Sequence, residues 1–159
     1  MDIEDSITQL EEVFEGHPWY GSPILKSLEE IPFIFWDQKL ENASHTITEL
    51  VYHIIDWRVF VIEKLKENEL FSVEMNSEND WRKNISVANT HEKKNTIEEL
   101  KKTQYSMIQL LTTKQDTWMC HFVDGKDYKN EYMVIGVIQH DIYHLGQINF
   151  LYNQLKNKV

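Results

Sequence analysis

With 159 residues, 42% hydrophobic and 12% aromatic, the chain can bury a sizeable core in one domain and is too short for two comfortable ones. A formal net charge of -10 argues against a nucleic-acid partner, which needs a basic patch, and 5 Gly with 3 Pro disfavour a turn-rich all-β fold. The lone Cys120 forms no internal disulfide, the acidic start Met1-Asp2-Ile3-Glu4 lacks a signal-peptide pattern, and no apolar run approaches the roughly 18 residues of a membrane span, so a soluble cytoplasmic protein without a membrane partner is expected.

The first predicted helix runs from Asp2 to Glu15, with Ile3, Ile7, Leu10, Val13 and Phe14 as its apolar stripe and early acidic residues favouring its positive end. Gly16-His17-Pro18 ends it, and Trp19-Tyr20-Gly21 follows as a loop. Pro23 opens a short helix to Glu30, and 33–43 reads as irregular. Thr46-Ile47-Thr48-Glu49 has the spacing of a capping box, so a second long helix should start there and reach about Glu67. Its stripe is Ile47, Leu50, Val51, Ile54, Val61, Ile62 and Leu65, with His53 beside it.

Residues 68–88 are polar and broken, with Phe71 and Trp81 as anchors. A third long helix is expected from Asn89 or Thr90 to about Leu111, carrying Ile97, Leu100, Tyr105, Met107, Ile108 and Leu111. In Trp118–Tyr128 the pair Asp124-Gly125 signals either a small hairpin with a type I′ turn or an irregular loop. A fourth long helix follows from Tyr132 to Leu155, with apolar residues at Val134, Ile138, Ile142, Leu145, Ile148, Leu151 and Leu155. Four long helices without a repeat or linker predict a single all-α domain over 1–159, a four-helix bundle with a short extra helix.

The fourth helix carries His140 and His144, four apart and so on one face, where two imidazoles can share an ion. Such a pair is more often solvated or hydrogen-bonded than metal-bound, and a third ligand would decide between these. His53 is the natural candidate, because bundle sites form where side chains of facing helices converge. Three protein ligands leave an open position, which is the catalytic pattern. Imidazole suits zinc, nickel, copper or iron, and cytoplasmic supply makes zinc the default. His17, His45, His91 and His121 fit hydrogen-bonding or surface roles better. Trp57 and Phe60 follow His53 by four and seven, and Gln147 follows His144 by three. By helical phase the first two are candidate pocket walls and the third a candidate polar contact. Asp141 falls in the apolar seam, where it needs a partner. Gly146, costly in mid-helix, should admit a close neighbour.

His140-Asp141-Ile142-Tyr143-His144-Leu145-Gly146-Gln147-Ile148 resembles the last-helix signature of the DinB/YfiT-like superfamily. Thr46 to Arg58, with His53 at the ligand position, resembles its second-helix signature, and Trp19-Tyr20-Gly21 and Trp81 resemble weaker landmarks. The resemblance implies a four-helix bundle, a triad of His53, His140 and His144 around one divalent nickel or zinc ion, and a homodimer. Relatives of this kind include thiol transferases, a thiol-dependent isomerase and metal-dependent hydrolases. The expected activity is transfer of a low-molecular-weight thiol cosubstrate to a small-molecule electrophile. No protein side chain is singled out as catalytic, because the metal-bound thiol or water would carry the chemistry. A hydrolase and a non-catalytic metal-binding dimer are the alternatives, since one fold hosts several chemistries.

Overall fold

The computed structural model describes residues 1–77 and 79–158. Six α-helices follow one another: α1 (Ile3–Glu15), α2 (Ile24–Glu30), α3 (Ile47–Leu65), α4 (Thr90–Leu111), α5 (Asp116–Met119) and α6 (Asn130–Lys156). A single 3-10 turn, Phe33–Phe35, lies in the stretch expected to be irregular.

The helix starts follow local chemistry. Asp2 caps α1 by accepting from the Asp5 amide. Thr46 and Glu49 close the reciprocal capping box at α3, and Asn89 caps α4 through the Glu92 amide. α3 packs on α4 and α6, and α1 lies across α4 and α6 to complete the four-helix bundle. The core between them includes Leu10, Phe14, Leu50, Ile54, Leu100, Met107, Leu145 and Ile148, all nearly inaccessible to solvent. Trp36, also fully buried, donates its indole N–H to the Ile31 carbonyl at 3.3 Å. Asp37 then joins two distant segments, accepting from Thr48 Oγ1 at 2.6 Å and from the Val87 amide at 2.9 Å.

One buried cluster links the four long helices. Arg58 of α3 donates through Nε to Asp141 Oδ2 of α6 at 2.9 Å and through Nη1 to Gln104 Oε1 of α4 at 2.9 Å. Its guanidinium lies 4.9 Å from the ring centre of Phe14 on α1. Asp141 thus has the partner that its place in the seam demands. The same cluster explains why Tyr105, expected inward, is exposed: Gln104 takes the core-facing position to meet Arg58.

One open alternative is decided, in favour of the loop, and one expectation changes. Of the hairpin at 118–128 a single bridge between Phe122 and Lys129 forms, with no strand among the described residues. Trp118 and Met119 belong to α5 instead, and Gly125 has a positive φ of 73° while Asp124 does not, so the two left-handed residues of a type I′ turn are absent. Gly146 is exposed, and a Cβ built there meets nothing within 4 Å, so no neighbour within the described residues requires a glycine. Among the described residues no helix is long and apolar enough to cross a membrane.

Candidate metal centre

His53 lies in the first half of α3, and His140 and His144 lie in the middle of α6, the helix packed against it. The α6 pair shares one helical face, and the bundle turns that face toward His53. One nitrogen of each ring lies within 4.8 Å of the others. The shortest approach is between His53 Nε2 and His140 Nε2, at 3.0 Å. Two nitrogens each roughly 2.1 Å from one ion would stand about 3 Å apart at near a right angle, so this spacing suits shared coordination.

For two of the rings the opposite side fixes which nitrogen is free. His53 Nδ1 lies 2.8 Å from the Asp80 carbonyl oxygen. A carbonyl only accepts, so His53 carries its proton at Nδ1 and turns the Nε2 lone pair inward. His144 Nδ1 donates to Gln147 Oε1 at 2.8 Å, with the same consequence. His140 Nδ1 is buried without a hydrogen-bond partner, 3.9 Å from Asp141 Oδ1, and no bond on that side fixes its tautomer. Three clustered imidazoles, two of them with the Nε2 lone pair turned inward by their Nδ1 bonds, form a donor set that fits a borderline transition-metal ion.

Burial disfavours the charged forms of His53 and His144. It is the main cause lowering His144 from 6.5 to about 4, with His140 adding like-charge repulsion. It also lowers His53, against the opposing hydrogen bond from Asp80. No proton then has to be displaced from these two rings near neutral pH.

The histidines sit at the base of a cavity of about 760 Å³ whose walls include Trp57, Phe60, Met133 and Val137 and whose rim includes Met75, Tyr132 and Tyr143. Its size is typical of small-molecule sites. A model of the DinB superfamily matches residues 24–148, a span that includes all three histidines. The chain belongs to the DinB superfamily. Comparison with curated proteins and with solved structures gives no match.

In this DinB protein the sequence-derived candidates converge. His53, His140 and His144 form the cluster, and Trp57, Phe60 and Gln147 all line the cavity. Trp57 also donates its indole N–H to Asp80 Oδ1 at 2.8 Å. Asp56, close to His53 in helical phase, turns instead to Arg82 and pairs with it at 2.6 Å. His17, His91 and His121 are exposed and lie outside the cavity.

Of the site residues not singled out from sequence, two support the His53–Trp81 part of the site. Asp80 is buried in the loop after α3. Its carbonyl orients His53, one carboxylate oxygen accepts from Trp57, and the other accepts from the Asn76 amide at 2.6 Å. His45, set aside as a junction residue, lines the cavity and stacks on Trp81 at 3.5 Å between ring centres. The other face of Trp81 stacks on His53 at 3.9 Å, so the indole is held between two imidazoles. For Asp80 the sequence signal was the aromatic anchor Trp81 beside it in the chain; His45 is far from Trp81 in the chain and had no such signal.

Proposed function

We propose that this DinB protein is a metal-dependent enzyme that transfers a low-molecular-weight thiol to an electrophile, with His53, His140 and His144 holding one divalent zinc or nickel ion. The observation that carries the reading is the convergence of three imidazoles, two of them with the tautomer fixed by a hydrogen bond at Nδ1, at the base of an accessible cavity. Among the described residues the cluster has no fourth His, Cys, Asp or Glu, unlike the closed sets of structural sites. A bound divalent ion supplies Lewis acidity that lowers the pKa of a coordinating thiol or water.

The chain's own groups then have defined parts. Asp80 and Gln147 hold the Nδ1 protons of His53 and His144 and so aim both rings. Trp57 and Phe60 keep water from one wall of the cavity. In the transfer the thiol sulfur bonds to the acceptor carbon, the bond from that carbon to its leaving group breaks, and the thiol proton passes to solvent. No protein cysteine is required. Cys120 is exposed and outside the cavity lining.

The test is a screen of zinc- and nickel-loaded protein against several thiols and electrophiles, following thiol consumption. Activity should vanish on chelation, return with metal and survive Cys120→Ala. Undiminished transfer by a metal-free preparation would refute the reading, and water replacing thiol as the consumed nucleophile would assign the hydrolase. A homodimer belongs to the same proposal, supported by exposed Tyr143 and Phe150 flanking the open Gly146 on α6. Light scattering that finds only a 19.1 kDa species at micromolar concentration would reject that part.

A further inference from the structure

The cavity above the histidines has a definite chemical character away from them. Its walls are the side chains of Trp57, Phe60, Met133 and Val137, and no Lys or Arg is among its lining residues. Among the described residues Asp80 is the one carboxylate in the lining, and both of its oxygens are engaged, one by the Trp57 indole N–H and the other by the Asn76 amide. Among the described residues the cavity thus offers no free counter-charge of either sign beyond the histidines. Lys126 Nζ lies 5.6 Å from the ring centre of Phe60 but outside the lining. The whole chain, at -10, repels anions further. A phosphate or second carboxylate drawn in here would lose hydration and find only neutral donors such as Asn76 and Gln147, with no cation to pair with among the described lining residues. The rim is also unusual for a surface. Met75, Tyr132 and Tyr143 are 78%, 69% and 64% exposed, so apolar area remains to be covered at the entrance.

We infer that the reactant filling this cavity has an uncharged aromatic or aliphatic body joined to a single metal-binding or reactive head. This rests on the metal-centre reading for the head alone; the body is assigned by the walls. Reactants bearing phosphates or several carboxylates belong to a different class from the one these walls recognise.

N-phenylnaphthylamine and anilinonaphthalene sulfonate share one aromatic body and differ by a charge, so their fluorescence on binding isolates the point. The uncharged dye should bind metal-free and zinc-loaded protein alike, at least about tenfold more tightly than the sulfonate. Met75→Lys changes an exposed loop residue at the rim and puts a cation there; it should narrow that gap severalfold. Equal or tighter binding of the sulfonate by the unaltered chain overturns the inference, as does a preference that Met75→Lys leaves untouched. Benzohydroxamate, an uncharged aromatic body on a metal-chelating head, should displace the uncharged dye from zinc-loaded protein far better than from metal-free protein. If displacement does not depend on zinc while the dye preference holds, the metal reading fails and the assignment of the body stands.

Discussion

His53 Nε2 and His140 Nε2 stand 3.0 Å apart although the two residues are 87 positions apart in the chain. The His53 lone pair points inward because the far side of its ring faces the Asp80 carbonyl. Zinc- or nickel-loaded protein should therefore hold about one ion per chain by elemental analysis. Replacing His53, His140 or His144 by Ala should weaken retention by more than the roughly 10–100-fold that loss of an outer partner costs. A His53→Ala protein with full metal content would remove His53 from the site.

The outer partner with the most connections is Asp80. It holds His53 through its backbone, and its carboxylate fixes the loop by binding Trp57 and the Asn76 amide. Asp80→Ala keeps the carbonyl but releases what positions it. Zinc affinity, measured by competition with a chromophoric chelator, should fall roughly 10–100-fold. Asp80→Asn, which still accepts from Trp57, should lose less. Identical affinities in all three proteins would reduce Asp80 to a loop anchor.

These two residues illustrate what could be read in advance. A ligating imidazole announces itself by residue type and by the four-residue spacing on α6, and the stripe of α3 placed His53 beside the core. Asp80 acts on His53 through a carbonyl, a group every residue carries, and from a loop with no periodicity. His45 depends on Trp81 folding back between two helices, a tertiary event. Helix starts at Thr46 and Asn89 were legible because capping is local chemistry. The hairpin was not settled by Asp124-Gly125, because that dipeptide fits several turns and the helical turn at Asp116–Met119 took residues a strand would need. Asp141 advertised its need for a partner, but choosing Arg58 required knowing how α3 and α6 align.

The Arg58–Asp141 pair is fully buried, with Arg58 Nη2 at 2.7 Å from Asp141 Oδ2. Asp141→Ala would strand a guanidinium in the core with Gln104 and the Phe14 ring as its remaining contacts. Urea unfolding should register a loss of about 3–5 kcal/mol. Arg58→Met combined with Asp141→Leu removes both charges and should recover most of that loss. A double variant as unstable as Asp141→Ala would show that the pair fixes helix alignment rather than neutralising a charge.

Acidification should destabilise the metal-free protein in a window set by the buried histidines. His144 titrates at about 4 in the fold, mainly because burial penalises its charged form, and His53 is lowered for the same first reason. In the unfolded chain a histidine titrates near 6.5. Between these values the unfolded state binds protons that the folded state refuses, so stability rises with pH there and falls as pH drops. The contribution is fully present above about 6.5 and is progressively lost toward 4, with His144 supplying roughly 3 kcal/mol at most. Carboxylates titrate in part of the same range, so the decisive comparison is with His144→Gln, which removes one imidazole and keeps a polar side chain. Urea midpoints of the metal-free proteins at pH 7.5, 6 and 5 should fall more steeply for the unaltered chain than for the variant. Parallel slopes would mean that His144 takes up its proton in the fold as readily as in the unfolded chain, contrary to a ring whose charged form is penalised by burial.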